Sequence, residues 1–171
     1  SSLRTLNLPF IGENGSSDNS NLGYVFGTTS YPNAIGISQP TNDKNVKYFI
    51  PENLTEVNVN GGNIYENAFN FSNLRRVNLN IKGLSVIEDY AFSGCLKLEK
   101  VTIPESVTRF GDYAFQYCEA FSSFPMHDGL KRIGDYCFAG CTKATIFSMP
   151  DSVIELGEGS FTVCSSLREV E

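Results

Sequence analysis

Asp112-Tyr-Ala-Phe-Gln-Tyr-Cys118 decides the fold, because the phrase returns as Asp135-Tyr-Cys-Phe-Ala-Gly-Cys141 and as Asp89-Tyr-Ala-Phe-Ser-Gly-Cys95. Each copy opens on an acid (Asp89, Asp112, Asp135 and, once more, Glu158), and an aromatic follows three residues later at Phe92, Phe115, Phe138 and Phe161. A glycine stands just before the acid in the last three copies, at Gly111, Gly134 and Gly157. Upstream of each lie two apolar residues spaced by three: Leu84/Ile87, Val107/Phe110, Leu130/Ile133 and Val153/Leu156.

A second figure alternates with the first. Leu54-x-x-Val57-x-Val59, Leu74-x-x-Val77-x-Leu79, Leu98-x-x-Val101-x-Ile103, Phe121-x-x-Phe124-x-Met126, Ala144-x-x-Phe147-x-Met149 and Leu167-x-x-Val170 follow one another in steps of 20, 24, 23, 23 and 23 residues. A period of about 20–29 residues with this figure marks a leucine-rich repeat, in which each unit gives one short strand and a return path to the next strand. The expected fold is an α/β repeat solenoid: a leucine-rich-repeat horseshoe with short parallel strands on the concave face and short helical turns on the convex face. The acid suits the start of such a helical turn, where a carboxylate accepts free backbone N–H groups. Ala91, Phe92, Cys95 and Leu98 then share one helical face.

The whole chain, 1–171, reads as one domain and as a fragment of a longer protein. Residues 1–9 are a partial repeat, built on Leu3-Arg-Thr-Leu-Asn-Leu8. Residues 10–53 are an insertion rich in Gly, Ser, Asn, Asp and Thr, with an apolar middle at Leu22-Gly-Tyr-Val-Phe-Gly27 suited to docking and with mobile polar tips. Residues 54–171 hold about five repeats of 20–24 residues and a final strand.

Composition fits a globular solenoid: 41% of the 171 residues are apolar and 19% charged, and the net charge is −6. That charge argues against nucleic acid or an anionic membrane surface as the main partner. No apolar run approaches the ~18 residues needed to cross a bilayer, so no membrane insertion is expected within this chain.

Val101-Thr-Ile-Pro-Glu-Ser-Val-Thr-Arg-Phe-Gly-Asp-Tyr-Ala-Phe-Gln-Tyr-Cys118 resembles the 23-residue unit of the BspA-like leucine-rich-repeat family, and Met149-Pro-Asp-Ser-Val153 and Ile133-Gly-Asp-Tyr-Cys-Phe-Ala-Gly-Cys141 repeat parts of it. Leu22-Gly-Tyr-Val-Phe-Gly27 and Tyr48-Phe-Ile-Pro-Glu-Asn-Leu54 are similar to an element that some members carry between repeats. The resemblance implies an extracellular or cell-surface protein, secreted or displayed. Several members look like adhesins for host extracellular-matrix proteins or for other microbes. Met126-His127-Asp-Gly-Leu130 departs from the family's Ile-Pro-x-Ser-Val phrase, and Cys137 replaces its alanine. The shared motif is structural, so no binding residue carries over with it.

Cys95, Cys118, Cys141 and Cys164 recur every 23 residues and should stack on adjacent turns. They read as buried thiols filling a core slot, with disulfides and metal or redox use as the alternatives. His127 is the sole histidine and reads as a solvent-exposed turn residue. The acids Asp89, Asp112, Asp135 and Glu158 recur as caps, not as a catalytic pair. Glu13, Asn14, Asp18, Asn19 and Asn21 offer oxygen ligands without the spacing of a calcium loop. Asn14, Asn53 and Asn70 begin glycosylation sequons. Tyr90, Tyr113 and Tyr136 make an outer column covering the repeat joints.

The remaining candidate is the concave face, where residues between the apolar anchors point outward. One column is Asn58, Asn78, Thr102, Pro125 and Ser148. Beside it runs Glu56, Arg76, Lys100, Ser123 and Ile146. The sequence therefore predicts a noncatalytic extracellular protein-binding or adhesion module that needs no cofactor or metal and meets a host-matrix or microbial surface protein. A structural spacer within a larger surface protein is the alternative, and a carbohydrate-acting enzyme a remote one.

Overall fold

The computed structural model describes residues 3–11, 20–41, 44–122 and 126–170. The first side of the coil is a parallel sheet of β1 (Thr5–Leu8), β4 (Glu56–Val59), β5 (Arg76–Leu79) and β7 (Lys100–Thr102), hydrogen-bonded in that order. Farther along the same side, β10 (Ile146–Phe147) pairs in parallel with β12 (Glu169–Val170). Alternation sets the register: Val57, Val59, Val77, Leu79 and Val101 are buried, and the residues between them face outward. Slipping a strand by one residue would expose its valines, so the hydrophobic pattern holds the columns in line.

The return path contributes a second parallel ladder, β6 (Val86–Ile87), β8 (Arg109–Phe110), β9 (Arg132–Ile133) and β11 (Glu155–Leu156), extended upstream by a bridge from Ile64 to Ile87. Between the two ladders runs an aromatic spine. Phe69, Phe92, Phe115, Phe138 and Phe161 stack with ring centroids 4.8, 5.1, 5.5 and 5.7 Å apart. Burying each such ring is worth about 1.5–3 kcal/mol, and each stacked pair about 0.5–1.5 kcal/mol beyond that.

The third side corrects one expectation. It carries turns, not helices: the one helical segment among the described residues is a 3-10 turn at Leu22–Val25, inside the insertion. The backbone bonding gives the reason. Tyr90, Phe92 and Gly94 donate their N–H groups to the carbonyls of Asp112, Ala114 and Gln116 on the next turn, at 3.0, 2.8 and 2.8 Å. Only the intervening amides, those of Ala91, Ser93 and Cys95, bond locally, three residues back. Alternate amides are thus committed across the coil, and an α-helix, which needs every one of them along its own axis, cannot form.

Two left-handed residues per turn complete this geometry. Tyr90, Tyr113 and Tyr136 have φ of 55°, 58° and 53°, and Phe71, Tyr117 and Val163 have 55°, 56° and 60°. Ala91, Phe92, Cys95 and Leu98 are all sealed from solvent, but by the coil and not by a shared helical face.

The acids cap differently as well. Asp89 Oδ1 accepts the N–H of Asp112 at 2.9 Å, Asp112 that of Asp135 at 3.0 Å, and Asp135 that of Glu158 at 2.8 Å. Each carboxylate therefore serves the next turn. Gly111 is required below it, because a Cβ there would stand 2.3 Å from Asp89 Oδ1 and 2.6 Å from Asp89 N.

The insertion closes the first turn. Leu22 N–H donates to Ala68 C=O at 2.7 Å, and the buried Gln39 side chain donates to Asn70 C=O at 2.8 Å while accepting Gly23 N–H at 2.6 Å. On the next turn the equivalent carbonyls, Ala91 and Ser93, receive the amides of Phe69 and Phe71. The insertion thus supplies by one amide and one side chain what a preceding repeat would supply by backbone alone. Its body is an antiparallel hairpin, β2 (Ala34–Pro40) with β3 (Asn45–Pro51), whose Ile37, Tyr48 and Ile50 form a small core. Phe26 packs on both this core and that of the solenoid.

Candidate functional site

On the first sheet the register places Glu56, Arg76 and Lys100 side by side, and Asn58, Asn78 and Thr102 beside them. Asn7, which sequence reasoning did not include, heads the second column. These amides bond to one another. Asn58 donates to Asn7 Oδ1 at 2.6 Å, Asn78 donates to Asn58 Oδ1 at 2.7 Å and to Glu56 Oε1 at 2.9 Å, and Thr102 donates to Asn78 Oδ1 at 3.0 Å. A shorter ladder runs alongside, from Asn80 to Asn60. Arg76 pairs with Glu56 at 3.2 Å.

The upstream half of the column is therefore engaged internally. The downstream half is different. Ile146 is 41% exposed on its strand, Ser148 is exposed, and Lys100 has no ion-pair partner among the described residues. Ser123 and Pro125 lie outside the described residues.

The thiols fill the core slot. Cys95, Cys118, Cys141 and Cys164 donate S–H to the carbonyls of Phe69, Phe92, Phe115 and Phe138, at 3.1, 3.3, 3.4 and 3.1 Å, and Ser72 starts the column with a contact to Cys95 Sγ. All five cysteines are free. Burial pushes the Cys95 thiol up to about 12, opposed in part by Ser72, and raises Cys118, Cys137, Cys141 and Cys164 as well. Such thiols stay protonated and inert.

His127 is half-buried, not exposed as its turn position suggested. Its Nδ1 accepts Gly129 N–H at 3.1 Å, and its Nε2 is buried without a partner. It borders a hollow of about 610 Å³ with Glu105, Met126, Asp128 and Gly129. A second hollow, of about 500 Å³, lies between Leu3 and the base of the hairpin, at Tyr31, Asn33, Glu52 and Asn53. Among the described residues no group of three His, Cys, Asp or Glu could hold a metal ion, and no helix is long and apolar enough to cross a membrane.

Burial raises the Glu88 carboxyl, opposed by the Glu66 N–H that it accepts. Tyr90, Tyr113 and Tyr136 stack at 4.8 and 5.3 Å, as their spacing implied. Of the sequons, Asn70 is buried and bonded to Asn67, Asn53 is exposed, and Asn14 lies outside the described residues. Of the candidate calcium ligands only Asn21 is described, and it caps the 3-10 turn by accepting Tyr24 N–H.

The fold has solved counterparts. A leucine-rich repeat protein of Treponema pallidum (TpLRR) superposes with a TM-score of 0.65 at 23% identity, over 84% of this chain and 71% of its own. A leucine-rich repeat protein of Bacteroides ovatus gives 0.61 at 27% identity, over 82% of this chain. The match spans only 38% of that longer protein. No curated protein matches the chain. Residues 62–171 match, in 6 copies, the family described as BspA type leucine rich repeat region. With its 23-residue turns, thiol column and cross-turn acids, the chain belongs to the BspA-type leucine-rich-repeat family.

Proposed function

We propose that this chain is a noncatalytic recognition module of an extracellular or cell-surface protein, and that it binds a protein partner through the first sheet. The observation that carries this reading is the asymmetry of that face. From β1 to β7 its amides satisfy one another, whereas Lys100, Ile146 and Ser148 project without such engagement. An exposed apolar side chain on the same side of the coil as an unpaired cation is the kind of anchor on which interfaces concentrate their energy. The ladder behind it is already ordered, so docking costs little conformational entropy. Single-site affinity is modest, and display in many copies raises it.

Arg76→Ala, Lys100→Ala and Ile146→Ala, tested for binding to immobilised extracellular-matrix proteins, separate the possibilities. Ile146→Ala is expected to weaken binding about fivefold or more, and Lys100→Ala to reduce the on-rate at low salt. Binding unchanged in all three folded variants would move the site off this sheet. Adhesion that survives loss of the whole face would make the chain a spacer.

A further inference from the structure

The hairpin of the insertion has one guarded edge and one open one. Glu52 N–H bonds Asn33 C=O and Thr41 N–H bonds Lys44 C=O, at 2.9 Å each, which fixes the parity of the ladder. Residues 35, 37 and 39 of β2 bond to β3, while Gly36 and Ser38 turn their N–H and C=O groups away from it. On β3 the outward groups of Phe49 are occupied, its N–H donating to Gly27 C=O at 3.0 Å and its C=O accepting from Tyr31 OH at 3.2 Å, and the outward-facing Lys47 beside it puts a charge on that edge. Gly36 and Ser38 on β2 are exposed and have no such cover among the described residues. The strand, Ala34-Ile-Gly-Ile-Ser-Gln-Pro40, also carries no charged residue of its own, the usual guard of an exposed edge, and a cation near it, Lys47, lies over the face of Gly36 from β3.

We propose that this edge pairs with the same edge of a second copy of the chain, antiparallel, about a two-fold axis at Ile37. Gly36 then faces Ser38 of the partner copy on both sides of the axis, and each pair exchanges two N–H···O bonds. The register follows from which groups remain open. A shift toward Pro40 meets a residue without an N–H, whose carbonyl already accepts from Asn21. A shift the other way meets Ala34, whose N–H is bonded to Tyr31 C=O. The two-fold at Ile37 uses all four open groups of Gly36 and Ser38 and none of the occupied ones. A single seven-residue edge is a small interface, so the dissociation constant falls at roughly 0.1–1 mM in solution and gains weight only where copies are crowded.

Sedimentation equilibrium of the whole chain up to roughly 1 mM tests this, with amide exchange at Gly36 and Ser38 followed against concentration. Ser38→Pro removes only the outward donor, and proline is tolerated on an edge strand with its nitrogen facing solvent. Ser38→Lys places a guard charge on the edge strand itself. The wild type should dimerise with both amides protected, and both variants should weaken dimerisation about tenfold or more while keeping the circular dichroism of the wild type. A wild type that stays monomeric overturns the proposal, even if an unrelated extended peptide protects Gly36 and Ser38. So does a dimer that neither variant weakens.

Discussion

Gln39 offers the sharpest test of how the insertion closes the solenoid. It is fully buried, and its amide joins Gly23 N–H to Asn70 C=O. Gln39→Met keeps the unbranched shape and strands both backbone groups, at about 1–3 kcal/mol each, so a loss of about 2–5 kcal/mol is expected. Gln39→Glu keeps the acceptor for Gly23 but sets a carboxylate oxygen against the Asn70 carbonyl. Burial and that opposed oxygen both favour the protonated acid, so its folded pKa rises above the unfolded value of about 4.3. A raised acid contributes stability that is fully present below its unfolded pKa and is lost as pH rises through the folded one. Urea unfolding should therefore show Gln39→Glu below Gln39→Met at about pH 7.5 and above it at about pH 4, where the protonated acid again donates to Asn70. Amide exchange at Leu22 and Gly23 should report the same order locally. A Gln39→Glu variant as stable as the wild type at neutral pH, or one with no added pH dependence, would refute the bridging role.

Two further expectations follow from the turns. The five thiols should be silent to a disulfide reagent in the native protein and titrate in full in urea; because their folded pKa values are raised, with Cys95 at about 12, the stability they contribute should be lost as pH climbs above about 8.5, measured by alkaline unfolding. Val163 is β-branched, 65% exposed and at φ 60°, in the column where Gly94 and Gly140 also stand, so Val163→Asn should relieve about 1 kcal/mol and raise Tm by about 2–4 °C, and an unchanged or lower Tm would argue against strain there.

Much of this fold is legible in the sequence because strands announce themselves residue by residue. Val57, Val77 and Val101 recur at the repeat spacing and are buried, and the residues between them take their outward columns from the period alone. The turn side is harder to read. Asp89, Phe92 and Cys95 at intervals of three look like a helical face, and the bonds that prevent a helix come from a neighbouring turn that a local pattern does not contain. Gly94 and Gly140 are the signal for the left-handed position, masked where Phe71 and Tyr117 occupy the same column. The hairpin went unread in the insertion, although Ile35 and Ile37 alternate with outward residues, as do Val46, Tyr48 and Ile50, because the polar residues around its turn look like a loop. Asn7 could have been placed the same way, since it stands between Leu6 and Leu8 as Asn58 stands between Val57 and Val59; that these asparagines bond to one another is what the pattern does not contain.

The insertion also explains why its own open edge merits a functional reading. A solenoid side that ended at Ala68 and Asn70 would leave carbonyls without donors, and Leu22 and Gln39 cover both. Gly27 and Tyr31 then cover the outward groups of Phe49. At each of these places the chain spends a specific donor or acceptor on closing an edge. On β2 it does so only at the two ends, at Ala34 N–H and Pro40 C=O, and leaves Gly36 and Ser38 open. The fold does not forbid a guard: residue 38 is exposed, and its N–H faces away from β3, so a lysine or proline there leaves the ladder intact. An edge left bare where guarding it would cost the hairpin nothing is better explained by pairing than by neglect, which is why Ser38 is the residue to change first.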